Sequence, residues 1–431
     1  MTRFGKSVGV RSAVVATVLL TTVGLAGCGQ IARGDDPLSK SGSGSNQQPQ
    51  AGQTTTEPNS KPSKSTPPPD PFKLSTNVAD GASSVKINKV LKVSAAHGDL
   101  SKVKVSGKIL DHGKTEKVSV DGEVNSDHTG WTASDVLEPN GEYTVKMTGD
   151  SDKGGSKTFT STFSTQELSL DQQVYASFAG TMSGTVGVGT PVVLRFDLPV
   201  KNKATFEKHL TVKTSSGQKG SWHWYSDQEV HWRPATYWEP GTTVTATADV
   251  NSLPAGNGLY GQSNTSTSFT VGSSVVTKVN LKTDIAKVYV NGKVARTIPV
   301  SGGDTSKLST TTRSGTSLIT QKETNYRMTS EMIGLPKSGP KSYDLRVKYA
   351  LRITNSGEFL HSAPWNSAYF GRENASHGCV GMSNADAGWL YDTALPGSPV
   401  VVTGTDRELE TQNGLTDWNA DFATYAEGSA L

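Results

Sequence analysis

Residues 131–141, WTASDVLEPNG, carry a tryptophan, a Glu-Pro pair seven positions later and then a glycine, and residues 232–241, WRPATYWEPG, repeat that order. The two tryptophans and the two Glu-Pro pairs are both 101 residues apart. Each copy ends on a similar alternating segment, at 162–165 and at 268–271. A repeat of one domain length, rich in short alternating stretches and turn residues, predicts two tandem β-sandwiches of immunoglobulin-like type.

We place these sandwiches at residues 72–166 and 167–272, with a mainly β third domain at 273–404 and a tail at 405–431. In the third domain, Asn291-Gly292 between apolar runs predicts a two-residue hairpin turn. Ser383, with Asp386 three positions on, predicts the start of one short helix after Cys379. Strands are predicted at 275–281, 286–290, 294–300, 317–320, 345–354, 359–360 and 400–403.

The N-terminal region has the composition of a leader followed by a stalk. Basic residues precede an apolar run at 12–26, which as a helix spans roughly 22 Å and is too short for a stable membrane span. This predicts a signal peptide at 1–27. Residues 25–28, LAGC, resemble the lipobox of bacterial lipoproteins, which implies lipidation of Cys28. The alternative is an ordinary signal peptide with a stray cysteine.

Residues 28–71 are rich in Ser, Gly, Gln and Pro and contain almost no large apolar side chain. Such a segment cannot bury enough surface to order itself, so a flexible stalk is predicted. With the lipobox, it predicts a protein outside the cytoplasm, held at the cell membrane by a lipid anchor.

The charge balance argues against one class of partner. The formal net charge is +3, and the leader alone carries three basic residues, Arg3, Lys6 and Arg11. The remaining chain is therefore close to neutral, which predicts no binding of nucleic acid or another polyanion.

Cysteine usage points to a reactive thiol. The chain has two cysteines, and Cys28 belongs to the leader region. Cys379 lies in the stretch 376–379, SHGC, and His361 stands eighteen positions upstream. A lone thiol with histidines nearby is a candidate nucleophile, and a neighbouring imidazolium would lower the thiol pKa. His377 is expected to position the loop, while the amides of Gly378 and Cys379 are expected to bind an oxyanion.

Two other uses of the histidines are open. The first is a metal site formed by His361, His377 and Cys379, at an unusual spacing for zinc ligands. The second is an aromatic site where His223 and His231 alternate with tryptophans. For this second cluster, the spacing favours packing along one strand face.

The stretch 361–365, HSAPW, together with 376–379, SHGC, resembles the signature of the L,D-transpeptidases, cysteine enzymes that cross-link bacterial peptidoglycan. The resemblance extends over the whole plan, from anchor and stalk through two immunoglobulin-like domains to a β-rich catalytic domain. It implies that Cys379 is the nucleophile and His361 the general base, oriented by the Ser362 carbonyl. It also implies no cofactor and no metal.

Further positions match residues that contact substrate in this family. They are Tyr343, Met328, Gly357, Trp365 and Ser376, and the segment 331–342 has the Gly and Pro content of a mobile lid. For Met328 and Trp365, ordinary packing is an equal alternative.

One position departs from the family pattern. Where family members usually carry Asn or Arg two residues after the cysteine, this chain has Gly381, which puts the substrate preference in doubt.

The resemblance implies thioester formation with a tetrapeptide stem, release of terminal D-alanine and transfer to an amine of a second stem, giving a 3→3 cross-link. Carbapenem β-lactams are expected to acylate the same thiol. Water as acceptor would give a carboxypeptidase, and a protein amine would give an enzyme that anchors proteins to peptidoglycan. A non-catalytic scaffold that binds the cell wall is a further alternative.

Overall fold

The computed structural model describes residues 72–111, 113–180, 183–334, 336–339 and 342–431. The predicted signal peptide, Cys28 and the stalk lie outside the described residues. Within the described part of the chain, no helix is long and apolar enough to cross a membrane.

The first sandwich consists of a four-stranded sheet, in the order β1-β3-β7-β6, and a five-stranded sheet, in the order β2-β9-β8-β4-β5. Its core is formed by the inward residues of both sheets, among them Trp131, Tyr143 and Phe163. The strands are β1 Lys73–Thr76, β2 Ala82–Val85, β3 Lys92–Ala96, β4 Gly98–Asp111, β5 Lys114–Val120, β6 Gly122–Val124, β7 Gly130–Ala133, β8 Gly141–Ser151 and β9 Ser156–Thr165.

The second sandwich has two four-stranded sheets, β11-β13-β16-β15 and β12-β20-β17-β14, and a small sheet β10-β19-β18. The buried tryptophans 222, 224, 232 and 238 belong to its core. The elements are β10 Gln173–Val174, β11 Ala176–Phe178, β12 Gly184–Val186, β13 Val192–Phe196, α1 Lys203–Glu207, β14 Leu210–Thr214, β15 Gly220–Trp224, β16 Glu229–Pro234, β17 Thr243–Ala248, β18 Pro254–Gly256, β19 Leu259–Gly261 and β20 Thr265–Val271.

The third domain packs two sheets and one helix around a common apolar core. The sheets run β23-β22-β21-β29-β24 and β25-β26-β27-β28. The elements are β21 Val275–Asn280, β22 Ile285–Val290, β23 Lys293–Pro299, β24 Gly315–Leu318, β25 Gln321–Thr329, β26 Asp344–Arg352, β27 Phe359–Ser362, β28 Val380–Met382, α2 Asn384–Thr393, β29 Pro399–Thr403 and, in the tail, α3 Phe422–Ala426. Short 3-10 turns occur at Leu170–Gln172, Ser330–Ile333, Pro364–Asn366 and Asp417–Asn419.

The predicted fold class is confirmed: two immunoglobulin-like sandwiches precede a β-rich domain with a short helix after the cysteine. Asn291 and Gly292 both have positive φ, 48° and 80°, as a two-residue hairpin turn between twisted strands requires. The Ser383 hydroxyl caps α2 by accepting from the Asp386 N–H at 3.1 Å.

The sequence analysis missed two strands, β25 and β28. β25 lies at the edge of its sheet and is polar, with one buried residue, so it has little apolar alternation to reveal it. β28 has three residues, all buried, and is too short for a periodic pattern.

The tail packs on both neighbouring domains. Trp418 donates its indole N–H to the Gly189 carbonyl of the second sandwich at 2.7 Å. Asn419 Oδ1 accepts from the Thr316 N–H on β24 of the third domain at 2.5 Å. The second sandwich also contacts the third domain directly, where the Gly187 N–H donates to the Pro396 carbonyl at 2.7 Å. The tail therefore joins two domains that also touch each other.

Candidate active site

The strand register brings His361 and Cys379 to one edge of a sheet. β27 and β28 are parallel neighbours in which His361 lies opposite Gly381. Cys379 immediately precedes β28 and is two residues from Gly381, so it shares a face with Gly381 and His361. Residues eighteen positions apart in sequence thereby lie on adjacent strands, two residues apart in register.

The loop that carries the cysteine is held by hydrogen bonds at both ends. The Ser376 hydroxyl donates to the Cys379 carbonyl at 2.6 Å and accepts from the Gly378 N–H at 3.1 Å. The Thr312 hydroxyl donates to the Gly378 carbonyl at 2.9 Å. Gly381 and Ser301 exchange both backbone hydrogen bonds, at 3.0 and 2.9 Å. These contacts fix the backbone on either side of the thiol.

Two of the predicted roles look different in this loop. The Ser376 hydroxyl, expected to contact substrate, is used within the loop itself. The Gly378 N–H, expected to bind an oxyanion, donates to Ser376 in this conformation. Gly378 has φ 128°, in the region that favours glycine, so the backbone conformation of the turn accounts for a glycine at this position.

The thiol is in its neutral, protonated form. Cys379 Sγ lies 3.6 Å from the Gly357 carbonyl, to which the thiol donates. The half-buried thiol packs against an apolar cluster that includes Met328 and Phe359. Burial raises the pKa of Cys379 to about 12, and the Glu358 carboxylate adds to this effect. The expectation that an imidazolium lowers this pKa is therefore wrong for this conformation, because His361 is itself neutral.

The buried His361 side chain has a defined tautomer. Its Nδ1 lies 2.9 Å from the Ser362 carbonyl, which can only accept, so Nδ1 carries the proton. Burial lowers the pKa of His361, partly offset by the hydrogen bond to Ser362. The ring is therefore neutral near pH 7, with Nε2 unprotonated and able to accept a proton.

The other predicted site residues surround these two. The rings of Tyr343 and His377 lie 5.5 Å apart, and Trp365, 48 % exposed, has its ring 6.2 Å from that of His361. Met328 is 8 % exposed and belongs to the apolar cluster beside Cys379, so packing describes it better than substrate contact. Among the described residues, no three His, Cys, Asp or Glu side chains form a group that could hold a metal ion.

Comparison with known proteins agrees with this geometry. Residues 274–402 match the family model described as an L,D-transpeptidase catalytic domain, and residues 82–254 match a bacterial Ig domain. L,D-transpeptidase 2 of Mycobacterium tuberculosis is 33% identical over 362 residues, covering 83% of this chain and 85% of the relative. The chain belongs to the L,D-transpeptidase family. It is an enzyme that cross-links peptidoglycan.

A second relative gives the same assignment, and a solved structure is also similar. L,D-transpeptidase 5 of Mycobacterium tuberculosis is 30% identical over 370 residues, covering 85% of this chain and 78% of the relative. A solved structure of the L,D-transpeptidase LdtMt1 in complex with imipenem is 31% identical and covers 54% of this chain and 99% of that one, with a TM-score of 0.46.

Sequence reasoning missed one group of residues in this L,D-transpeptidase. Glu358 is 5% exposed and pairs with Arg313 through Nη1 at 2.9 Å. Arg313 Nε also pairs with Glu410 of the tail at 2.5 Å. Glu410 in turn accepts from the Asn413 amide at 2.8 Å, and Asn413 Oδ1 accepts from the Ser356 N–H at 2.9 Å. The tail thus supports the segment 356–358, whose Gly357 carbonyl holds the thiol.

Only one member of this network, Glu358, could have been noticed in the sequence. Burial alone would raise the pKa of Glu358, which remains raised although Arg313 opposes the effect. A charged residue between Gly357 and an apolar strand is unusual in sequence and could have been noticed. The other two charged members of the network, Arg313 and Glu410, are 45 and 52 residues away from Glu358, however, and no local pattern links them.

Proposed function

We propose that Cys379 is the nucleophile and His361 the general base with which this L,D-transpeptidase transfers a stem peptide to an amine. The observation that carries the proposal is the hydrogen bond from His361 Nδ1 to the Ser362 carbonyl at 2.9 Å. This bond leaves Nε2 as the basic nitrogen on the sheet face that carries Cys379. A protonated thiol needs such a base, since the thiolate is the reactive species.

In the acylation step, His361 Nε2 takes the thiol proton as Sγ attacks the carbonyl carbon of the third stem residue. The tetrahedral intermediate then collapses, and the bond to the terminal D-alanine breaks. The leaving amine takes the proton back from the imidazolium. A thioester on Cys379 and free D-alanine result, with no proton gained or lost overall.

In the transfer step, a side-chain amine of a second stem attacks the thioester carbonyl. The C–S bond breaks, His361 relays the amine proton to the departing sulfur, and a 3→3 cross-link forms. Water in place of the amine would release a shortened stem, which is the carboxypeptidase reaction. The exposed Trp365 and the paired rings of Tyr343 and His377 offer surface to the stem, and Tyr343 packs in the same apolar cluster as Cys379.

Acylation by imipenem tests the two roles separately. Wild-type protein is expected to gain the mass of one imipenem, Cys379→Ala none, and His361→Ala the same adduct at a much lower rate. Cys28→Ala in every sample removes the second thiol. An adduct of equal rate on Cys379→Ala would contradict the assignment of the nucleophile, and an unchanged rate for His361→Ala would contradict the assignment of the base.

We infer also that the chain is lipidated at Cys28 and acts outside the cytoplasm, facing the peptidoglycan. The lipobox-like stretch 25–28 and the basic leader support this. Metabolic labelling with a fatty acid is expected to mark wild-type protein and not Cys28→Ala, which is expected in the soluble extracytoplasmic fraction with its activity intact. Membrane retention of unlabelled Cys28→Ala would overturn the anchor.

A further inference from the structure

Strand alternation in the first sandwich gathers lysines on the outer face of its five-stranded sheet. The inner residues of this sheet, such as Val105, Tyr143 and Val145, are buried in the core. The residues between them point outward and are exposed. On three adjacent strands, β4, β5 and β8, these outward residues include five lysines, which we call the lysine face: Lys102, Lys104, Lys108, Lys117 and Lys146.

The strand register places lysines of this face directly opposite one another. Lys104 pairs with Lys146 across β4 and β8, and Lys108 pairs with Lys117 across β4 and β5. Like charges directly opposite in a sheet reduce its stability. Glu142 lies opposite Lys108, and Asp99 and Asp150 lie opposite each other at the end of the same face. A negatively charged partner would relieve the repulsion within these pairs.

These lysines differ in ion pairing from lysines of the second sandwich. None of them takes part in an ion pair within the described part of the chain. In the second sandwich, by contrast, Lys201 and Lys203 both pair with Asp227. The lysine face therefore presents free ammonium groups.

The rest of this sheet surface is suited to a polar polymer. Its outward positions on β8 and β9 include six hydroxyl side chains: Thr144, Thr148, Thr158, Thr160, Thr162 and Ser164. An open groove of about 600 Å³, lined in part by Lys108, Lys117 and Thr144, lies on the sheet. Lys102 to Lys108 span six residues of one strand, or about 20 Å at 3.4 Å per residue. The charges thus follow a line.

The near-neutral composition concealed this surface. Residues 72–166 contain twelve lysines, no arginine and twelve acidic residues, a net charge of zero. The sequence analysis therefore predicted no polyanion partner. Strand register gathers five lysines on one sheet face, where they outnumber Asp99, Glu142 and Asp150, so this surface is basic although the domain is neutral.

We propose that the lysine face binds the carboxylate groups of polymeric peptidoglycan. This inference rests on the proposed function, since it names a second contact with the same substrate. Tetrapeptide stems each end in a carboxylate and repeat along a glycan, which matches a line of ammonium groups flanked by hydroxyls. An anionic bilayer fits less well, because Leu110 is the one large apolar side chain that this face offers for insertion. Binding here raises the effective concentration of stems for Cys379.

Co-sedimentation with purified insoluble peptidoglycan tests the proposal. The full chain carries Cys28→Ala and Cys379→Ala, so that neither a lipid nor the active-site thiol captures the polymer. The test variant changes all five lysines of the face to Gln. The control changes five exposed lysines elsewhere to Gln, with the same loss of charge: Lys208, Lys213, Lys219, Lys282 and Lys287.

We expect the test variant to bind at least about tenfold more weakly and the control to bind like the parent. Parent binding should also fall in 1 M salt, where the Debye length is about 3 Å, and on peptidoglycan whose carboxylates have been converted to amides. Equal binding by the test and control variants would overturn the proposal. So would parent protein that binds anionic phospholipid vesicles and not peptidoglycan.

Two readouts separate this proposal from folding and from the proposed function. The thermal midpoint of the test variant should equal or slightly exceed that of the parent, because two like-charge pairs are removed. With Cys379 restored, the test variant should react with imipenem at the wild-type rate. Lost imipenem acylation in wild-type protein would instead contradict the proposed function and leave the binding result intact.

Discussion

The cysteine loop at 376–382 and the tail at 405–431 are both held by dense polar contacts, but over different distances in sequence. Within the cysteine loop, Ser376, Gly378 and Cys379 bond to one another across two or three residues. The tail is held by residues about 190 positions away, such as the pair of Asp417 with His231. Local contacts leave a motif in the sequence, whereas distant contacts leave none.

The tail contacts the second sandwich through a buried cluster of charged groups and aromatic rings. Asp417 Oδ1 lies 2.7 Å from His231 Nδ1, while Glu229 Oε1 lies 3.0 Å from Nε2, so both ring nitrogens donate. Arg233, 1% exposed, lies over the rings of Trp418 and Tyr425 at 4.5 and 4.3 Å. This region stabilises the fold, and the cysteine loop performs chemistry.

The largest expected effect is on the cysteine loop. Cys379→Ala should lower cross-linking by at least about a thousandfold and His361→Ala by about a hundredfold or more, because nucleophile and base are lost. Neither change should shift the thermal midpoint appreciably. Rates with a soluble donor stem, together with thermal melts, check this. Cross-linking by Cys379→Ala near the wild-type rate would contradict it.

The next effect is on the tail. Asp417→Ala removes one carboxylate partner of the buried, charged His231, which lowers the free energy of unfolding by roughly 3–5 kcal/mol. Protease should then release the tail from the folded protein much faster than in the wild type. Asp406→Ala, an exposed position at the start of the tail, is the matched control. Equal protease resistance of the two variants would show that the ion pair does not hold the tail on the second sandwich.

A third test changes Glu358, which connects the tail to the surroundings of Cys379. Glu358→Gln keeps the shape of the side chain and removes a charge that raises the pKa of Cys379. The thiol pKa should fall, so iodoacetamide alkylation at pH 8 should be a few-fold faster than in the wild type. Glu239→Gln, at an exposed position of the second sandwich, should have no effect. An unchanged alkylation profile for Glu358→Gln would separate the network from the thiol.

A fourth test varies the pH to probe the contact between the tail and the second sandwich. Burial would lower the pKa of His231, but the Asp417 and Glu229 carboxylates outweigh it and raise the pKa to about 9. Because the folded-state pKa is raised, the stabilisation is fully present below the ordinary value near 6.5 and is lost as pH rises through about 9. The difference in thermal midpoint between wild type and His231→Gln should shrink over that window. A constant difference from pH 6 to 9.5 would contradict the charged pair.

The smallest effect is expected at Gly381. A Cβ there would lie 3.0 Å from the Ala363 Cβ, a tight contact that costs about 1 kcal/mol to relieve. Gly381→Ala should therefore lower stability slightly and change imipenem acylation by less than about threefold, since His361 and Cys379 keep their places. Gly381→Asn tests the residue usual in the family. A large loss of acylation in Gly381→Ala would show that open space beside His361 is required.

Much of this molecule could be predicted from its sequence, because the informative features are local. The tryptophan repeat, the Asn291-Gly292 turn and the Ser383 cap each depend on a few neighbouring residues, and the structure contains all three features. The cysteine motif likewise lies in short stretches. The domain boundaries and the roles of the site residues stay predictions.

The remainder depends on partners that only the fold brings together. His223 and His231 alternate with tryptophans, and the packing interpretation was right for Trp222 and Trp232. The histidines lie on the opposite strand face, where they contact the tail. The thiol pKa was mispredicted for a similar reason, since it is set by burial and by Glu358 rather than by an adjacent imidazolium.

Product mass analysis with a purified tetrapeptide donor and a second stem as acceptor tests the central claim most directly. The wild-type enzyme should give a dimer that lacks one terminal D-alanine and is joined between the third residues of both stems, with a thioester on Cys379 detectable when the acceptor is omitted. Cys379→Ala should give neither species. A dimer formed by Cys379→Ala, or a wild-type dimer without a Cys379 thioester, would contradict the account.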